Sequence, residues 1–281
     1  MSRSYTDVVK FVCCILIFLH HFYLGNSIVT PLGYLACSIF FFLSAWGVSK
    51  SLDKRELGLW PFIKRRVAKV YIPLLLVNFI SIVVAKVVTW SWSSIPVFRV
   101  FCDDILLESV SSPISTLAYL LDVFQTDSIT WFVHVLLLVY LFVWDVHKIK
   151  SERMYATLVI TSFITVELVL WRIKADSWYM VDIVGVVLGL LIYKFEDVLQ
   201  SITLRHFFTV GSIIMFAGSL ALFSKHTDEG SWILLTGFAY SFASVILVWL
   251  LGNKVTLDTP ITGTWGGYLI TYTCVTSRWH Q

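Results

Sequence analysis

Lys10 and His21 stand at the two ends of KFVCCILIFLHH, a stretch otherwise made of apolar residues, two thiols and His20. If the stretch is helical, eleven residues at about 100° each return to within about 20° of the starting face and rise about 16.5 Å. A cation at the mouth of an apolar helix and an imidazole three turns deeper then share one stripe. His20 points about 80° off that line. An imidazole exchanges its proton near neutral pH, which suits it to general-base or nucleophilic work. An ionisable group at that depth in a membrane is functional by default. The other reading of either ring is a neutral histidine hydrogen-bonded between helices or wetted at an interface.

More ionisable side chains fall at a similar depth in later apolar runs: Lys86, His134, Glu167 and Asp182. Together they predict a polar pocket that opens toward the outside. At the opposite side the segment PFIKRRVAK, residues 61–69, gathers Lys64, Arg65, Arg66 and Lys69. Guanidinium groups bind phosphates in bidentate fashion, so this segment is a candidate site for a polyanionic cofactor. The same four cations also serve as a plain electrostatic anchor at a membrane surface.

These residues need elements to hold them, and composition says which kind. Of 281 residues, 58% are hydrophobic and 14% charged, with a mean hydropathy of +0.81. A soluble domain carries about 25% charged residues, so lipid must cover surface that polar groups do not. Twelve Trp, twelve Tyr and 21 Phe suit aromatic belts at two interfaces. Apolar runs near the ~20 residues that cross a bilayer lie at about 7–25, 31–49, 70–89, 129–146, 155–172, 177–195, 207–224 and 231–252. A weaker run, rich in Thr and Gly, follows at 261–275. The expected fold is all-α, a polytopic transmembrane helix bundle of 8–9 spans forming one domain over 1–281. Pro31 and Pro73 fall at or near the start of a run, where a missing N–H does least harm.

Loop charge sets the expected orientation. With the N-terminus cytoplasmic, fifteen of the 21 Lys and Arg residues lie inside and five outside, with Arg278 unplaced. That bias is the positive-inside pattern. No cleavage pattern follows the first run, which is expected to remain as the first span. The five cysteines (13, 14, 37, 102 and 274) are odd in number and four of them sit in or beside apolar runs, so they read as small buried residues. Residues 90–128 form one long connection with alternating apolar and acidic stretches. It reads as amphipathic helix on or dipping into the outer face, or as a decorated loop. Gly185 and Gly189 form a GxxxG, read as a helix-packing notch. There is no P-loop, HExxH, CxxC or GxSxG, and no metal is expected.

The chain resembles the integral membrane acyltransferase family 3, which O-acylates sugars of bacterial envelope polysaccharides. The family carries a cation, ten residues and then His in its first span, matched by Lys10 and His21, with an acidic residue before it like Asp7. SIFFFLSAWG (38–47) is similar to the family's FFxLSG string, with Ala45 where Gly is usual. RRVAKVYIP resembles its basic motif, with Arg66 and Lys69 at the paired positions and Pro73 closing it. TWFVHVLLLVYLF and WYMVDIVGVVLGLLI resemble later spans. Lysine replaces arginine at positions 10 and 69. The SYxxYLxH string is echoed only by TWGGYLITYT, with Thr271 in place of His, and the family has about ten spans.

The resemblance implies transfer of an acyl group, commonly acetyl, from cytoplasmic acyl-CoA (acetyl-CoA) to a hydroxyl of a lipid-linked or nascent polysaccharide. The protein is then expected in the cytoplasmic inner membrane, with membrane lipids as neighbours and no nucleic-acid partner. Lys10, Arg65, Arg66 and Lys69 would hold the CoA phosphates. His21 would be the base or nucleophile, oriented by Glu167, Asp182 or His134. Two further readings are a saccharide exporter, since intramembrane His, Lys, Glu and Asp also serve proton-coupled transport, and an inactive relative shortened at its C-terminal end.

Overall fold

The structure is a computed structural model that describes residues 1–22, 30–54, 57–91, 112–121, 131–223 and 230–254. Among the described residues there are nine helices and no strand. They are α1 (Arg3–Phe22), α2 (Thr30–Lys54), α3 (Leu59–Ser91), α4 (Pro113–Leu121), α5 (Trp131–Val146), α6 (Glu152–Arg172), α7 (Ser177–Leu199), α8 (Ile202–Phe223) and α9 (Gly230–Gly252). Five helical stretches are long and apolar enough to cross a membrane: Pro31–Lys54, Glu152–Arg172, Ser177–Leu199, Arg205–Phe223 and Ile233–Gly252. Trp131–Val146 is a shorter apolar helix. This is a helical membrane protein. The 261–275 run, Cys102 and Cys274 lie outside the described residues.

α2 is the axis of the bundle. It is apolar on every side, which marks a helix surrounded by others, and α1, α5, α7 and α9 all pack on it. Its tightest neighbour is α7, and the GxxxG makes that closeness possible. A Cβ at Gly185 would stand 2.0 Å from the Ser38 carbonyl oxygen, and one at Gly189 would stand 2.7 Å from that of Phe42. In lipid, where apolar surface gains nothing by leaving the solvent, close backbone approach of this kind drives helix association. The expected packing notch is therefore the α2–α7 seam.

Around that axis, α5 sets Phe132 against Phe41 with ring centroids 4.6 Å apart and the planes tilted by 44°. α6 and α7 form a hairpin: Ser151 caps α6 by accepting from the Met154 N–H, and Lys174 turns the chain at its far end in a left-handed conformation (φ 57°). α8 lies against α9, Phe216 stacking on Tyr240 at 5.1 Å. α6 and α8 expose Ile160, Ile164, Leu168, Val210, Ile213 and Ile214, an outer surface fitted to lipid.

Two ends of the bundle can be told apart. One end brings together Met1 with Asn253 (3.2 Å), Leu57 with Trp144 (3.1 Å), Lys50 with Glu196 (2.8 Å) and Lys150 with Lys194 (3.3 Å). The other joins Tyr34 to Ser177 (2.9 Å) and Trp131 to Tyr179 (centroids 4.7 Å). The first is the basic end.

The structure differs from the sequence reading at α3. The helix starts at Leu59, so the basic segment forms its opening turns, and Pro73 lies inside it rather than at its start. Proline supplies no N–H, which leaves the Lys69 carbonyl without its helical partner. Of the 90–128 connection, 90–91 end α3, 113–121 form α4, and 92–111 and 122–128 lie outside the described residues. The last carbonyls of α4 are met from α3: the Tyr71 hydroxyl donates to Leu121 and the Asn78 amide to Leu120 (3.3 Å). A helix end in apolar surroundings requires such partners.

Candidate functional site

At the basic end, α1 and α3 converge. Lys10 is half-buried on α1 and lies within electrostatic reach of Asp7 and of three cations, Arg3, Arg66 and Lys69. Asp7 also pairs with Arg3 at 3.9 Å. One carboxylate among four cations leaves the group short of negative charge. Arg66 is held with its guanidinium over two rings, 5.4 Å from the centroid of Phe62 and 5.3 Å from that of Tyr140 on α5. Cation–π seats of this kind fix the plane of the guanidinium while leaving its edge N–H groups available. Tyr140 in turn hydrogen-bonds Ser44 of α2. Lys64, Arg65 and Lys69 are exposed on the same turns. Of the predicted cofactor-binding residues, the structure brings Lys10, Arg66 and Lys69 together and sets Arg65 on the exposed surface beside them. Phe62 and Tyr140 as a seat for Arg66 were missed by sequence reasoning. The four-residue step from Phe62 to Arg66 was the available signal.

α1 is one unbroken helix from Arg3 to Phe22, so the eleven-residue register between Lys10 and His21 holds in the backbone. The His21 side chain lies outside the described residues, as does that of Lys86. His20 is described, and its ring packs on Gly33 of α2, consistent with a structural role between helices.

The other predicted catalytic residues are distributed. Asp182 on α7 is 1% exposed. Ser38 Oγ of α2 donates to its Oδ1 at 3.1 Å and lies 2.8 Å from Ser241 Oγ of α9, and Cys37 also hydrogen-bonds the carboxyl. A buried carboxyl is tolerable only with such partners, and here they join three helices. Asp182 is thus sealed in a seam and does not line an open pocket. Its hydroxyl partners went unpredicted, although Ser38 is a lone polar residue at the head of an aromatic run.

Glu167 lies on α6, four residues after Phe163, which meets Phe238 of α9 edge-on at 6.4 Å. Both of its carboxyl oxygens are buried without a hydrogen-bond partner among the described residues. His134 is half-buried on α5, one turn after Trp131. Asp182 sits in the α2–α7–α9 seam, Glu167 on α6 one turn beyond Phe163, and His134 on α5.

A second polar cluster at the basic end was not foreseen. The Tyr193 hydroxyl of α7 donates to Asp53 Oδ1 of α2 at 2.6 Å and lies 3.4 Å from Nδ1 of His147, just past α5. His147 Nε2 is 3.7 Å from the same Asp53 oxygen. Burial and the nearby Lys194 hold the His147 imidazole below its ordinary value of 6.5, outweighing the Asp53 carboxylate. The cluster clamps the ends of α2, α5 and α7 together.

Among known proteins, a family model described as an acyltransferase domain matches residues 3–273. No curated protein and no solved structure matches the chain.

Proposed function

The chain belongs to the acyltransferase 3 family, and from that premise we propose that it moves an acyl group, in the simplest case acetyl, from cytoplasmic acyl-CoA to a sugar hydroxyl of an envelope polysaccharide. One observation carries the donor side of this reading. Lys10, Arg66 and Lys69 gather at the foot of the same unbroken helix that bears His21 about 16.5 Å further along. That cation set fits a phosphate-rich donor, with Arg66 giving planar two-point contacts and the lysines point charges. The acyl thioester supplies the electrophilic carbonyl.

At the deeper position, His21 takes the proton of the acceptor hydroxyl as its oxygen bonds to that carbonyl. The carbon–sulfur bond then breaks and the thiol leaves, protonated by the imidazolium. Clustering of the cations at one end of the bundle favours that end as cytoplasmic, with the N-terminus inside and an even number of crossings between Met1 and Asn253. The inner membrane, the polysaccharide acceptor and the eight-span count belong to this same reading.

The test uses inverted membrane vesicles, labelled acetyl-CoA and the host's glycan. His21→Ala is expected to lower label transfer by roughly 10²–10⁴-fold at unchanged membrane abundance. Transfer at the wild-type rate by that variant removes His21 from the chemistry, and glycan crossing the membrane without donor replaces transfer by export.

A further inference from the structure

The contact between α1 and α2 near their far ends is unusually close. A Cβ on Gly33 would lie 2.6 Å from Cγ, 2.7 Å from Nδ1 and 2.8 Å from Cδ2 of His20. Three ring atoms at nearly equal distance mean that the imidazole lies across the bare Cα of Gly33. Cγ is the root of the side chain, so no rotation of a flexible tip relieves the crowding. Only a new χ1 or a shift of α1 against α2 would do so.

The register of α1 connects this contact to its neighbour. Phe11, Val12 and Ile15 are exposed, whereas Cys13, Cys14 and Ile17 are buried. The three exposed residues lie about 80°, 180° and 120° round the axis from position 21. The lipid-facing sector is therefore centred about 130° from that position, and the inward direction falls between positions 20 and 21. His20 occupies one flank of the inward face, seated on Gly33. Position 21 occupies the other, above Cys14 and Lys10.

We propose that His20, keyed into the space over Gly33, is a positioning residue that sets the rotation of α1's far end and so aims position 21 at the acceptor. This rests on the reading of His21 as the group that activates the acceptor hydroxyl. A methyl at position 33 needs about 0.8 Å of relief to reach ordinary contact with Cγ, and a misplacement near 1 Å costs on the order of 10²-fold in rate.

The experiment is a double-mutant cycle with three readouts. Gly33→Ala is expected to lower kcat by about 10- to 100-fold while leaving KM for acetyl-CoA unchanged, because the cations at the foot of α1 do not move. Combined with His20→Ala, the same change is expected to be harmless or favourable, since the methyl then enters space the ring has vacated. The cycle repeated on thermal unfolding tests the contact itself. Maleimide labelling of His21→Cys, in a background with the native cysteines replaced by serine, tests its effect on position 21 without any need for acyl transfer. A labelling rate that changes with Gly33→Ala when His20 is intact, and stays constant in the His20→Ala background, supports the proposal even in a protein with no transferase activity, where only the functional reading fails. Identical effects of Gly33→Ala in both backgrounds, or an unchanged kcat and labelling rate, overturn it.

Discussion

Replacing Gly185 by Ala adds one methyl to the tightest helix contact in the bundle. The new Cβ would stand 2.0 Å from the Ser38 carbonyl oxygen, where ordinary contact begins at 3.4 Å. The obstruction is backbone, so α2 and α7 must part by about 1.4 Å. Overpacking of this kind costs about 1–3 kcal/mol. The same movement strains the 3.1 Å bond from Ser38 to the sealed Asp182 carboxyl, and a buried polar group deprived of its partner costs a further ~1–3 kcal/mol. The expected destabilisation is roughly 2–6 kcal/mol. At Gly211 on α8 an added methyl would meet nothing within 4 Å. There the same substitution should stabilise by ~0.5–1 kcal/mol through lower helix-backbone entropy. Thermal unfolding in lipid nanodiscs should therefore show Gly185→Ala melting roughly 5–28 °C below Gly211→Ala, taking about 2–4 °C per kcal/mol for a chain of this size. In a Ser38→Ala background the Gly185→Ala penalty should shrink, because the hydrogen bond is already gone. Equal melting of the two glycine variants would refute the claim that the α2–α7 seam is held by backbone proximity.

Arg66→Lys keeps the charge but loses the guanidinium held over the Phe62 and Tyr140 rings, interactions worth about 0.5–2 kcal/mol. It should raise KM for acyl-CoA roughly 2- to 30-fold in steady-state assays with little change in kcat, while Arg153→Lys on α6 should not. Since burial holds His147 below 6.5, its contribution to stability is full above that pH and is lost as pH falls from 6.5 through its folded value. Melting temperature should accordingly drop as pH is lowered from about 7, and His147→Gln should flatten that slope; a steeper slope in the variant would reverse the sign argument.

How far the sequence disclosed this molecule varied with the kind of signal. The apolar runs mark where helices lie because run length against bilayer thickness is a strong constraint. The basic segment before the third run was legible as a charge cluster, and its meeting with Lys10 followed from the shared end. The start of α3 at Leu59 was not legible from hydropathy, since a cationic amphipathic turn and a loop have the same charge. Pro73 pointed the wrong way: proline marks helix starts statistically, but in a long helix between neighbours its missing bond is tolerated. Asp182 was visible as a costly residue, yet its partners Ser38 and Cys37 come from α2, and Ser241 behind them comes from α9. All three are far from Asp182 along the chain, and no local spacing encodes such a meeting.

The deeper reason is that a bilayer removes the contrast on which sequence reading depends. α2 and α8 are both apolar along their length, but α2 is buried on nearly all sides while α8 shows Phe207, Val210, Ile213 and Ile214 to its surroundings. In water an exposed face must be polar, and periodicity reveals it; in lipid both faces are apolar and periodicity is silent. What separates the two helices is finer: Ser38 reaching Asp182 and Ser241, Gly33 receiving a ring, and Gly185 and Gly189 of α7 admitting the α2 backbone. Small residues and lone hydroxyls therefore carry the information about which helix is central, and in this chain they converge on α2. α2 holds the far end of α1 through Gly33, and its Ser44 meets Tyr140 beneath Arg66. A change in the seat of α2 should accordingly disturb both the cationic foot and position 21, whereas a change in α8 should disturb neither.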